Sequence, residues 1–151
     1  DAVTDQIWDD IFGINVRGLF NVTRAAGPHL KAGGDGVVVN VGSVAGASDQ
    51  GSSIPYAASK AAVHSLTRTL ARALAPKVRV NCVAPGFINT EWHARQLTPA
   101  QLESRLQAAR EETLLKKFCE PEDVADAIVS LIAHNQLATG QILFLHGGRR
   151  L

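Results

Sequence analysis

The run Val37-Val38-Val39-Asn40-Val41 constrains this chain more than any other stretch. It lacks polar–apolar alternation, is rich in β-branched residues, and is enclosed by glycines, Gly33, Gly34 and Gly36 before it and Gly42 and Gly46 after it. A short continuous apolar run of this kind suits a parallel strand buried on both faces, because crossover helices cover parallel sheets on both sides. Two further runs read the same way. Val78-Arg79-Val80-Asn81-Cys82-Val83 is broken by Pro85-Gly86, and Ile142-Leu143-Phe144-Leu145 leaves through His146-Gly147-Gly148 as a final buried strand. Long helical patterns separate the three, so the order of elements predicts an α/β fold with a doubly wound parallel sheet.

Thr4 is an N-cap, with Asp5 in the first turn, for a helix running to about Leu30. Trp8, Phe12, Asn15, Leu19 and Val22 recur on it at helical spacing, which places one amide on an otherwise apolar stripe and requires partners for it. Lys31 to Gly36 reads as a glycine-rich turn. The next helix spans about Tyr56 to Leu74, with Val63, Leu66, Leu70 and Leu74 as its apolar stripe, alanines at 57, 58, 61 and 62 allowing close packing, and Pro76 closing it. Thr98, Pro99 and Gln101 predict a capping box, followed by the stripe Leu102, Leu106, Ala109. Pro121 opens the last helix, with Val124, Ile128, Leu131 and Ile132 inward and Asn135 as a left-handed cap.

Chemistry concentrates after the Val37 run. Tyr56 is the only tyrosine of the chain, and Lys60 follows it by one helical turn. A free phenol, with a pKa of about 10, is a poor base at neutral pH, and a fixed ammonium beside it favours the phenolate. Ser43 falls at the carboxyl end of a strand, the side on which open α/β sheets bind ligands. The three make a site for moving a proton on or off an alcohol or carbonyl oxygen. A tyrosine four residues before a lysine is, taken alone, more often a helix-surface pair.

The surrounding motifs decide between these readings. Asn40-Val41-Gly42-Ser43-Val44-Ala45-Gly46, Tyr56-Ala57-Ala58-Ser59-Lys60 and Arg79-Val80-Asn81-Cys82-Val83-Ala84-Pro85-Gly86 with Thr90 stand in the order and spacing of the short-chain dehydrogenase/reductase family. The chain resembles the carboxyl-terminal part of that family over essentially its whole length. The resemblance implies a Rossmann-like sheet and an NAD(P)-dependent oxidoreductase that interconverts an alcohol and a carbonyl on a small-molecule substrate. Tyr56 would be the general acid/base, Lys60 its activating cation and a ribose ligand, Ser43 the group that positions the oxygen, and Asn15 the holder of a water that links Lys60 to solvent. Tyr56, Lys60, Pro85, Gly86, Ile88 and Thr90 would bind NAD or NADP, with Ile88 offering backbone groups to the carboxamide and Thr90 a hydroxyl to the adjacent phosphate. Residues 91–118 would form the substrate lid, with Phe87, Trp92, Leu97, Leu114 and Leu115 either lining an apolar pocket or serving as core, and His93 on the lid or surface. The family pairs the Thr4 and Tyr56 helices across a subunit interface, which implies a homodimer or homotetramer. His146 stands where the family commonly has an acidic residue.

The family's first strands, glycine-rich phosphate turn and cofactor-sorting residue have no counterpart in this sequence, and the chain has no methionine. The expectation is therefore a portion of a longer polypeptide. Two other readings stay open, a cofactor-free oligomerising or regulatory module with this family's surface, and a lyase or epimerase on the same fold. Fifteen basic against fourteen acidic residues leave a net charge of +1, which gives no reason to expect nucleic acid or a membrane as partner. Cys82 and Cys119 have no metal-ligand spacing and read as buried free thiols. No apolar run reaches the span of a bilayer and no leader opens the sequence, so a soluble, cytoplasmic protein without a metal is expected.

Overall fold

The computed structural model describes residues 3–48, 51–91 and 95–149 of the chain. Three parallel strands, β1 (Gly36–Val41), β2 (Val78–Pro85) and β3 (Ile142–Leu145), form a sheet in the order β1-β2-β3. Side chains of β2 alternate between the two faces. Val78 and Val80 pack with Ala71 of α3 (Ile54–Leu74), while the Arg79 guanidinium reaches the carboxyl end of α5 (Pro121–Ala133). Helices therefore cover both faces, and the doubly wound Rossmann-like architecture is present. Of the three predicted strands only β2 is buried at every position but one, Arg79. Val41 is 48% exposed and Leu143 39%, because β1 and β3 each have β2 as their single partner among the described residues.

The amino-terminal helix is continuous from Asp5 to Gly33 but not uniform. It consists of α1 (Asp5–Phe12), a π-helical segment (Gly13–Gly18) and α2 (Leu19–Gly33), with Thr4 Oγ1 accepting the Ile7 N–H at 3.3 Å. The wider π turn inserts a residue and shifts the inward face by one position. Thr23 and Gly27 are buried where the periodicity predicted Val22, which is 70% exposed. The helix also takes in Lys31 to Gly33, so the predicted turn shrinks to Gly34 and Asp35.

The inward face of α3 is Pro55, Ser59, Val63, Thr67 and Ala71, in steps of four, with Leu70 and Leu74 on its flank rather than on a central leucine stripe. Small and polar residues prevail there because the sheet comes close and bonds to them. Asn40 of β1 donates to Thr67 Oγ1 at 2.9 Å, and that hydroxyl donates to the Val63 carbonyl at 2.9 Å. On the other face, Arg79 bonds the carbonyls of Leu131, Asn135 and Ala138 through Nη1 and of Ile132 through Nη2, satisfying the free carbonyls at the end of α5. Asn135 does not take a left-handed cap. It closes α5 by donating from its side chain to the carbonyl and hydroxyl of Ser130. Ile132, expected inward, is 46% exposed, and Leu131 is the buried residue of α5. The capping box of α4 (Pro99–Glu111) is present between Thr98 and Gln101, and Leu106 is buried as its stripe predicts. Among the described residues, no helix is long and apolar enough to cross a membrane.

Candidate active site

Strand register sets the site. Val41 lies opposite Val83 and Pro85 opposite Leu145, so Ser43, Pro85-Gly86 and His146 emerge side by side along the carboxyl rim of the sheet. Beyond β1 the chain bends through Gly42 and Ser43 into one turn of 3₁₀-helix, Val44–Gly46, whose first N–H groups are capped by Ser43 Oγ accepting from Ala45 at 3.2 Å. That turn leans directly on α3. A Cβ at Gly46 would stand 2.6 Å from the Lys60 carbonyl carbon and 2.7 Å from the Ala61 nitrogen, so only glycine lets the Ser43 loop meet the backbone of the helix that carries Tyr56 and Lys60.

Lys60 Nζ donates to the Val41 carbonyl at 3.0 Å and lies 5.7 Å from the centroid of the Tyr56 ring. The ammonium is thus fixed at the end of β1, beside both the phenol and the Ser43 loop. Burial pushes the Lys60 amine below its ordinary value, partly opposed by Cys82 beneath it. Asn15 lies in the π segment and donates through Nδ2 to Ser59 Oγ at 3.0 Å, and Ser59 donates in turn to the Tyr56 carbonyl at 2.8 Å. The structure therefore ties all four predicted catalytic positions to the end of β1 and the first turns of α3. Ser59, fully buried, is a link that sequence reasoning missed. Its place on the 55-59-63-67-71 face of α3 was the available signal. His64, one turn after Lys60, was also missed. It is buried, its Nε2 has no hydrogen-bond partner, and burial, then Arg68 and Lys60, push its imidazole below the ordinary value against the Gly46 carbonyl.

After Pro85 the backbone stays partly strand-like. The Cys119 N–H donates to the Phe87 carbonyl and the Asn89 N–H to the Cys119 carbonyl, both at 3.1 Å, forming a parallel bridge between Ile88 and Cys119. In such a bridge the N–H and C=O of Ile88 itself point to the opposite side of the segment. Phe87 and Phe118 meet edge to face and border a small cavity with Ala109, Thr113, Cys119, His146 and the Glu112–Arg149 ion pair. Leu114 and Leu115, expected either in an apolar pocket or in the core, are 78% and 69% exposed and belong neither to the core nor to this cavity; Phe118 borders the cavity instead, while Leu97 is half-buried and Trp92 and His93 lie outside the described residues. Cys82 and Cys119 are buried free thiols, both pushed up by burial. Among the described residues no cluster of His, Cys, Asp or Glu could hold a metal ion.

A family model described as enoyl-(acyl carrier protein) reductase matches residues 1–150. A putative ketoacyl reductase of the granaticin polyketide synthase from Streptomyces violaceoruber is 43% identical over 150 residues, which cover 99% of this chain and 59% of that protein. The short-chain dehydrogenase/reductase homologue YusR of Bacillus subtilis is 46% identical over 136 residues, 90% of this chain and 100% of that protein. The crystal structure of a gluconate 5-dehydrogenase from Burkholderia cenocepacia in complex with NADP and tartrate superposes with a TM-score of 0.85 at 29% identity, over 97% of this chain and 57% of that one. The chain thus spans somewhat more than half the length of two of these proteins and all of the third.

Proposed function

The chain belongs to the short-chain dehydrogenase/reductase family, and from that premise we propose that it carries the proton-transfer site of an NAD(P)-dependent oxidoreductase interconverting an alcohol and a carbonyl on a small molecule. The observation that carries this reading is the Lys60 ammonium, held by the Val41 carbonyl beside the Tyr56 ring and next to Ser43. In the oxidation direction the Tyr56 oxygen takes the hydroxyl proton of the substrate, and Lys60 stabilises the negative charge that would otherwise build there. Ser43 spends a lone pair on Ala45 N–H and keeps its own hydrogen for the substrate oxygen. In reduction Tyr56 returns the proton. Asn15, anchored through Ser59, holds the water path between Lys60 and solvent.

NAD or NADP, when bound, supplies the hydride acceptor or donor. The residues present suit its nicotinamide end. Ile88, just beyond Pro85 and Gly86, turns an amide donor and acceptor away from Cys119, the pair that a carboxamide needs, and Thr90, Tyr56 and Lys60 complete the set that would hold the cofactor. Residues 91–118 form the substrate lid, and the apolar side chains exposed along the first helix, among them Ile14, Phe20 and Val22, serve assembly into a homodimer or homotetramer. The second reading, a module without cofactor, draws on the relative matched over its entire length.

One experiment tests both. The intact protein and its Tyr56→Phe variant are titrated with NADH and NADPH by fluorescence and assayed for turnover. Expected are saturable binding in both proteins and a loss of turnover of at least about a hundredfold in the variant. Near-normal turnover would sink the role of Tyr56, and no saturable change in either protein would favour the cofactor-free module.

A further inference from the structure

The segment after α4 is held from one side by the turn of residues 146–149. The Gly147 carbonyl accepts the Leu115 N–H at 3.0 Å, and Arg149 Nη2 meets Glu112 Oε2 at 2.8 Å. Gly147 and Gly148 have φ of +60° and +79°, and a Cβ on them would stand 2.8 Å from the Lys117 oxygen and 2.9 Å from Leu114 Cβ. The turn therefore presses its bare backbone onto residues 114–117. The turn is closed by its own backbone, the Arg149 N–H donating to the His146 carbonyl at 3.0 Å, and a side chain holds its glycines, since His146 Nδ1 accepts the Gly148 N–H at 3.1 Å. Asp and Asn make the same kind of bond to a backbone N–H two residues on. An imidazole can do so only while Nδ1 is bare, because the imidazolium donates from both nitrogens.

We propose that His146 is a positioning residue: within the backbone-closed turn its unprotonated Nδ1 holds Gly147 and Gly148 against residues 112–119, and protonation of the ring releases that hold. The charged and titratable groups around it are Glu112 and Arg149, paired with each other on the cavity side, Lys117 and Asp123 across the adjoining cleft, and Cys119 between the two. Burial pushes the Cys119 thiol up, so it stays protonated through neutral pH. His64 lies beyond the Phe144 ring, which separates the two imidazoles with centroid distances of 5.8 and 5.9 Å. The hold extends further. Cys119 pairs its backbone with Phe87 and Asn89, and its thiol donates to the Leu145 carbonyl at 2.9 Å, so residues 112–119 brace the Pro85–Thr90 segment. Any effect on substrate binding rests on the lid reading proposed above, whereas the hold itself does not.

The test is amide hydrogen exchange on the intact protein, read as protection factors so that the intrinsic pH dependence drops out. It is run at about pH 8 and about pH 5.5, the interval in which histidine side chains ordinarily titrate. In the wild type, protection of the Leu115 amide falls roughly three- to tenfold on acidification, the loss of one modest hydrogen bond. In His146→Asp it stays level, because the carboxylate accepts at both pH values. In His146→Ala it is low at both. Amides of β2 serve as the control for folding; if His146→Ala loses them, the wild type and His146→Asp decide alone. A wild-type protection that ignores pH, or a His146→Asp profile that falls as the wild type does, overturns the proposal. Neither outcome depends on enzymatic activity, so failure here is distinct from failure of the oxidoreductase reading.

Discussion

His64 shows how a single buried side chain links the site to solution conditions. Its imidazole is 5% exposed, with desolvation first and the neighbouring cations second in disfavouring the charged form. Above about pH 6.5 the folded and unfolded chains both hold it neutral. Below that value the unfolded chain takes up a proton that the folded chain accepts only at lower pH, so stability falls on acidification. The urea midpoint of the wild type should therefore drop between pH 7.5 and 5.5 by more than that of His64→Gln; equal drops would show that His64 titrates alike in both states. At this scale the residues expected to move the proton, and Asn15 beside them, could be named from the sequence, whereas the bond that anchors Asn15 could not. Ser43, Tyr56 and Lys60 stand in short motifs whose residue types carry the chemistry. The Asn15–Ser59 bond joins positions 44 residues apart; periodicity can put Ser59 on the buried face of α3 but does not name its partner.

The elements were readable where local chemistry fixes them and misread where packing does. Thr4, Thr98 and Gln101 cap as their sequence demands. Val22 was put on the wrong face because one extra residue in the π segment cannot be seen in an apolar stripe, and the leucines of α3 gave way to Ser59 and Thr67 because the sheet approaches closely. Arg79, a charge inside the central strand, ties β2 to the end of α5. Arg79→Met keeps the apolar stem and removes the bonds to four carbonyls, of which Asn135 keeps the Ala138 N–H and Ala138 keeps the Asn81 amide as donor. Chemical denaturation should show a loss on the order of 2–3 kcal/mol, since hydrogen bonds from a charged group are worth more than neutral ones. A loss below about 0.5 kcal/mol would mean that water replaces the guanidinium without cost.

Across the molecule, the sheet is protected unevenly. Gly36 N–H donates to Lys77 and Gly42 N–H to Val83, so the even-numbered amides of β1 face β2 and those of Val37, Val39 and Val41 face away. In this chain the amides of Val38 and Asn40 should exchange slowly with those of β2, while Val37, Val39 and Val41 exchange orders of magnitude faster. Equal protection of the two sets would show that the outer edge of β1 is paired. That the chain holds three parallel strands was legible from the apolar runs and the helices between them; their order in the sheet was not, because a run of valines does not name its neighbours.

Arg79 and Asn81 have a consequence for how the molecule comes into being. Their partners are carbonyls between Leu131 and Ala138 and the Gln141 N–H, all synthesised some fifty to sixty residues later. A nascent chain that has emerged only through α4 leaves this guanidinium and amide without their protein partners, on a sheet face that stays open to water until α5 covers it. Until the last crossover arrives to cover that face and add β3, the sheet should stay loose on the ribosome and the candidate site at its rim unformed.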